Sequence, residues 1–218
     1  MYITYEEVKK NSTINAYISQ ADENLTALGF TEHGVAHVCK VAVTAGQILS
    51  ELEYDERQIE LAKIAGYMHD IGNVVNRIDH AQSGAIMSFR ILDKMGVKDE
   101  DIAVIVAAIG NHDESTAFPV NAVAAALIIA DKTDVRRSRV RNRSTIQFDI
   151  HDRVNYSVTS SKVHVTKEEV CLELAIDTEV CDLMEYFEIF LGRMMLCKKA
   201  AEALSIRFSL VINGQKMM

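Results

Sequence analysis

The sequence has no tryptophan, a single proline (Pro119) and only 6% aromatic residues among its 218 positions. So few helix breakers over such a length favour a mostly helical protein. No Cys-x-x-Cys pair occurs among Cys39, Cys171, Cys181 and Cys197; reduced, buried thiols in a cytoplasmic protein are the expectation. No apolar run is long enough to cross a bilayer, and the opening MYITYEEVKK lacks the apolar stretch of a signal peptide. There is no surplus of basic residues either. The net charge of −8 and pI near 5.4 argue against a general nucleic-acid or membrane-surface binder, although a local basic patch is compatible with an acidic whole. Internal repeats and low-complexity tracts are also missing.

What is present is hydrophobic patterning. Hydrophobic residues make up 49% of the chain, enough for one substantial core or for a main domain with a small appendage. Residues 1–145 read as successive helices. Ile14, Tyr17, Ile18, Ala21, Leu25 and Leu28 form one helical stripe that Gly29 stops. Thr31 is the expected cap of the next helix, which carries Val38, Val41, Ala45, Ile48, Leu49 and Leu52. Asp55, Asp79 and Asn121 open further helices, the last running through AVAAALIIADKTDVRRS. After about residue 145 the period changes. VCLELAID places Val170, Leu172, Leu174 and Ile176 on alternate positions, a strand pattern, and SKVHVT and RFSLVING read the same way. Between them lies a long helix with Leu183, Phe187, Phe190, Leu191, Met194 and Met195 on its apolar side. The expected organisation is a helical domain over 1–145 and a small α+β piece over 146–218, an antiparallel sheet with one packed helix.

Five of the seven histidines fall between residues 33 and 112. His33 and His37 are four apart on an expected helix and so share a face; both can reach one ion, or one can bind metal while the other faces a substrate. His69 and Asp70 are consecutive, and their side chains converge on one ion only where the backbone leaves helical geometry, as the nearby Gly72 suggests. His80 opens one helix and His112 follows another. Asp131 comes directly after Ala-Leu-Ile-Ile-Ala, where burying an unpartnered carboxylate costs on the order of several kcal/mol. Neither Lys132 nor Asp134 is placed on the adjoining turn to neutralise it. A metal ion answers that cost and the same cost at His69-Asp70. His151 and His164 read as surface residues.

These residues, in this order, resemble the HD-domain superfamily of metal-dependent phosphohydrolases. HVCKVA is similar to its first His motif, MHDIGN to its His-Asp pair and IADKTD to its last Asp motif. HAQSGA and NHDE are similar to the His-Pro-x-x-Gly-Ala and His-His-Glu stretches of the HD-GYP phosphodiesterases. The resemblance covers roughly residues 30–140 and implies an HD-type helical bundle. It departs at Asn73, where the family often has lysine, and in lacking the Gly-Tyr-Pro element, so cyclic-di-GMP hydrolysis is not supported. HGVAHV also looks like the His-Asn-x-x-His of cyclic-nucleotide phosphodiesterases, with Gly34 for Asn. There the first His protonates the leaving oxygen, which is one reading of His33; the others are an additional ligand or a structural group.

The resemblance implies His37, His69, Asp70 and Asp131 as ligands of one ion. It adds His80 and His112 for a second, bridged by Asp70. Imidazoles and carboxylates without thiolates suit Mn, Fe, Co, Ni or Zn, one or two ions per chain. Paired ions activate water and clamp phosphate oxygens, so the expected activity is hydrolysis of a phosphate ester or diester, with a small phosphorylated molecule of nucleotide type as substrate. A nucleotide sensor without turnover and a di-iron oxygenase are the alternatives, and a homodimer is compatible with either. Phosphate also needs cations. DKTDVRRSRVRNR supplies Lys132, Arg136, Arg137, Arg139, Arg141 and Arg143, of which Arg136, Arg137 and Arg139 are the substrate-binding candidates, with Arg77 a further one.

Overall fold

The computed structural model describes residues 2–141 and 149–218. Arg143 and the expected boundary near residue 145 lie outside the described residues. Among those described, the order is α1 (Tyr5–Lys10), α2 (Ser12–Ala27), α3 (Val35–Glu51), α4 (Glu56–Met68), a 3-10 turn (Ile71–Val74), α5 (His80–Lys94), α6 (Asp99–Gly110) and α7 (Ala122–Lys132). A second 3-10 turn (Arg137–Arg139), α8 (Ile150–Ser157), β1 (Val158–Val165), β2 (Glu169–Ile176), α9 (Leu183–Ala203), β3 (Arg207–Ile212) and β4 (Gln215–Lys216) follow. The protein is mainly α, with one small sheet near its end.

The centre of the bundle is α7. From Val123 to Ala130 every residue is buried, as suits a helix apolar on all sides. It packs against α3, α4, α6 and α9. Asn121 caps it through the Ala124 N–H at 2.7 Å, and Asp55 caps α4 through the Gln58 N–H at 2.9 Å, both as the sequence suggests. Gly29 ends α2 with φ +84°. One hydrophobic cluster includes residues of the helical bundle and of β2, α9 and β3.

Several expectations are corrected. Thr31 does not cap α3: the helix starts at Val35 behind Gly34, with no side-chain cap bond there, and the Glu32 carboxylate accepts the His37 N–H instead. Asp79 precedes α5 in a left-handed conformation, φ 55°, without a side-chain cap bond. The Asn121 helix ends at Lys132, not beyond Arg137. The sheet is mixed. β1–β2 and β3–β4 are antiparallel, but β2 and β3 run parallel, because α9 in the 177–206 connection carries the chain back to the end where β2 began. The inward face of α9 is Tyr186, Phe190, Met194, Cys197 and Ala201, which leaves Leu191 and Met195 exposed. No helix among the described residues is long and apolar enough to cross a membrane.

Candidate metal centre

His69 is the C-cap of α4 and Asp70 the N-cap of the turn that follows. The helix therefore breaks between them, and their side chains converge instead of diverging. Gly72 permits this for a packing reason: a Cβ there would lie 2.0 Å from the His80 carbonyl oxygen and 2.5 Å from the Gly84 nitrogen. The first turn of α5 thus lies directly against the turn after α4, which brings His80 to Asp70. α3 brings His37, and the segment after α6 brings His112. Asp131 comes from the last turn of α7.

Two groups of acceptor atoms result. In the first, His37 Nε2 lies 3.3 Å from His69 Nε2, 3.4 Å from Asp131 Oδ1 and 3.7 Å from Asp70 Oδ2. His69 Nε2 is 3.4 Å from Asp70 Oδ2 and 3.7 Å from Asp131 Oδ1. In the second, His80 Nε2 is 3.2 Å from His112 Nε2 and 3.5 Å from Asp70 Oδ1, and His112 Nε2 is 3.9 Å from the same oxygen. The two oxygens of Asp70 face one group each. Sets of three ligand atoms from these residues are close enough to hold a metal ion.

The hydrogen bonds on the other side of each ring fix what faces inward. His69, His80 and His112 place Nδ1 against the carbonyls of Gly66 (2.8 Å), Arg77 (3.0 Å) and Ile109 (2.6 Å). His37 places Nδ1 against Asp134 Oδ2 at 2.8 Å. An imidazole nitrogen facing such an oxygen carries the proton, so each Nε2 presents a lone pair to its neighbours. Lone pairs and carboxylate oxygens at 3.2–3.9 Å favour a cation or a proton between them, and Arg77 Nη1 lies 3.4 Å from His80 Nε2. The electrostatics differ from ring to ring. Burial opposes a proton on His69, yet Asp70 and Asp131 outweigh it and raise its pKa. Burial lowers His80 and pushes His112 down to about 3. Burial would raise Asp70, but His69, His33 and His80 hold its carboxyl well below the usual range.

Outside this cage, Asn73 donates to Asp70 Oδ1 at 2.9 Å and accepts from Arg77 Nη1 at 3.2 Å. Asp134 is fully buried behind His37, with Lys40 Nζ at 3.0 Å and Arg136 Nε at 2.9 Å on its other oxygen. Such backing orients a metal-binding imidazole and strengthens it as a donor. Nothing local in the sequence marks this role of Asp134, whose contact with His37 spans 97 residues. Contrary to expectation, Lys132 does neutralise Asp131: its Nζ lies 2.6 Å from Asp131 Oδ2, and the other oxygen alone faces the imidazoles.

A cavity of about 280 Å³ opens onto the centre. His33 lines it. His33 precedes α3 instead of lying on it, its ring edge-on to His37 at 5.4 Å, with Nδ1 against the Thr31 carbonyl at 2.6 Å. Burial, then Arg139, hold its pKa well below the imidazole value. Arg77 and Arg139 also line the cavity, whereas Arg136 and Arg137 are not part of its wall. Arg136 bonds Asp134, Ser138 and Glu32, and Arg137 bonds the Tyr156 carbonyl. Arg139 donates to the Glu32 and Asp134 carbonyls, and Arg141 pairs with Asp22. The far wall comes from α8 and α9, including His151, Asp152 and Arg193, none of them anticipated there. His164 is exposed beside Glu173.

Residues 34–139 match the model of the HD domain, and they contain every residue of both acceptor groups. Through this stretch, just under half of the chain, the protein is similar to the HD-domain superfamily. Over 161 residues it is 27% identical to an uncharacterized protein of Methanocaldococcus jannaschii, an alignment covering 63% of this chain and 61% of that protein. The chain therefore spans less than two thirds of that relative's length. It is also similar, at 24% identity and a TM-score of 0.47, to the crystal structure of a predicted HD superfamily hydrolase from an uncultured Thermotogales bacterium, covering 60% of this chain and 73% of that one.

Proposed function

We propose that this protein is a metal-dependent phosphohydrolase that cleaves a phosphate ester or diester of a small, nucleotide-like molecule. The observation that carries the reading is the arrangement about Asp70. Its Oδ2 shares one group of acceptors with His37, His69 and Asp131, and its Oδ1 shares another with His80 and His112. His37, His69, Asp131 and Oδ2 of Asp70 would hold one divalent ion, and His80, His112 and Oδ1 of Asp70 a second. Imidazole and carboxylate donors fit Mn, Fe, Co, Ni or Zn. Bound ions of this kind supply a water acidic enough to attack phosphorus and neutralise the phosphoryl oxygens.

The chain's own residues do the rest. Asn73 and Asp134 hold the ligands in orientation through the bonds described above. Arg77, Lys132 and Arg139 are cations a phosphate can meet on a cavity wall that also carries Asp70, Glu114, Asp131, Asp149 and Asp152. His33, kept neutral by burial and with Nδ1 on the Thr31 carbonyl, is the side chain we assign to accepting a hydrogen bond from the attacking water or a substrate hydroxyl. The test begins with elemental analysis, then incubation of the Mn- or Co-loaded protein with nucleoside monophosphates, diphosphates and phosphodiesters, reading released phosphate or nucleoside. Turnover with about two ions per chain is expected, and a fully loaded protein inactive across the panel overturns the reading. His33→Ala is expected to keep its metal and lose kcat; loss of metal would make His33 a ligand instead.

A further inference from the structure

The C-terminal piece reaches the metal centre through charge. Lys132 Nζ lies 2.6 Å from Asp131 Oδ2 and 3.7 Å from Glu114 Oε1. The same Glu114 oxygen lies 2.6 Å from Nε of Arg193, on α9. All three side chains line the cavity. The two cations are held by structure. Lys132 is buried on the last turn of α7, and Arg193 sits mid-helix with its guanidinium 4.7 Å over the Phe190 ring. Glu114 is different. It lies two residues beyond His112 in the irregular segment 111–121, and its side chain is 40% exposed.

The pairing of Glu114 with Arg193 is close but imperfect. Arg193 Nε is buried, yet its N–H has no aligned acceptor. A planar guanidinium with an unaligned donor, beside a buried ammonium, matches a tetrahedral oxyanion that can offer several oxygens better than it matches one carboxylate oxygen. Lys132 joins Asp131 to Glu114, and Lys132, Arg193 and Asp131 line the same cavity as Asp70, His80 and His112.

We propose that Glu114 occupies, in the unliganded protein, the position of a substrate phosphate oxyanion. Lys132 and Arg193 bind that oxyanion, so α9 makes the C-terminal piece part of the substrate site. Phosphate entry moves Glu114 outward and substitutes for it between the two cations. This deepens the phosphohydrolase reading and rests on it for the class of substrate.

The experiment measures inorganic phosphate binding to the metal-loaded protein by calorimetry, beside KM and kcat for any substrate found. Arg193→Gln is expected to weaken phosphate binding roughly tenfold or more, the size of one charge-assisted pair, with Arg193→Lys between it and the parent. Glu114→Gln is expected to tighten phosphate binding several-fold, because the internal competitor has lost its charge. A purely structural ion pair gives the opposite sign, so unchanged or weaker binding by Glu114→Gln overturns the proposal. So does unchanged binding by Arg193→Gln in protein with the parent's metal content and Tm. The two readings fail separately. Turnover with phosphate affinity indifferent to both changes removes this inference alone, whereas tighter binding by Glu114→Gln without turnover on any substrate removes the hydrolase reading alone.

Discussion

Replacing Asp134 with asparagine keeps the shape of the side chain and removes its charge. The carboxylate is fully buried, with His37 Nδ1 at 2.8 Å, Lys40 Nζ at 3.0 Å and Arg136 Nε at 2.9 Å. Burial would raise its pKa, but His37, Arg139 and Lys40 hold it well below the usual carboxylate range, so the group removed is an anion. An amide oxygen can still accept from His37 Nδ1, which keeps the ring oriented, but it no longer enriches the lone pair on Nε2. Losing such backing weakens metal affinity roughly 10–100-fold, or about 1.4–2.8 kcal/mol. Folding suffers separately. Lys40 is one-third exposed and can turn to water, and Arg136 keeps Glu32 at 3.0 Å, so the cost to the metal-free fold is about 1–3 kcal/mol. Competition against a chromophoric chelator measures the first quantity, and thermal unfolding of the stripped protein measures the second. A dissociation constant within about twofold of the parent, under conditions where His37→Ala abolishes binding, would refute the argument that Asp134 strengthens this ligand.

Three further outcomes follow from the coordinates. Gly72→Ala puts a methyl 2.0 Å from the His80 carbonyl and is expected to cost more than the ~1–3 kcal/mol of ordinary overpacking; a Tm within about 2 °C of the parent would contradict it. Chelating the ions is expected to lower Tm by about 5–10 °C, from ~2.7 kcal/mol of stabilisation at a hundredfold excess over Kd and about 2–4 °C per kcal/mol; an unchanged Tm after verified removal would count against binding to the folded state alone. Burial would raise the Glu60 carboxyl, but the Tyr5 N–H and Lys63 lower it overall. Its folded pKa is depressed, so its contribution is present above the ordinary ~4.3 and lost as pH falls below it; the stability gap to Glu60→Gln should narrow in acid titration, and a gap that widens would reverse the sign.

The helices were legible because their signals are local. The 3.6-residue period, the Asp55 and Asn121 caps and the turn at Gly29 each act within a few residues of where they stand. The misreadings share a cause. Thr31 lost the start of α3 to Glu32, whose carboxylate is held from 104 residues away by Arg136. The rotated face of α9 is likewise set by α7, a packing partner distant in sequence. Parallel pairing of β2 and β3 depends on where α9 delivers the chain, which strand alternation does not encode.

The same distinction separates the residues of the site. Asp70 and Asp131 announce themselves because each carboxylate follows an apolar helix, and the cost of burying it is readable from its neighbours alone. Asp134 and Arg193 carry no such mark. Arg193 stands in an ordinary amphipathic stretch and reaches Glu114 only because α9 packs along α7. The basic run after Asp131 misleads in the opposite direction: its density suggests a phosphate cradle, yet Arg136 spends its donors on the protein itself and neither Arg136 nor Arg137 lines the cavity. Cations that serve a ligand must be left underused by the fold and must face the cavity. Arg193, its Nε close to a Glu114 oxygen without an aligned bond, lines the cavity where Arg136 and Arg137 do not.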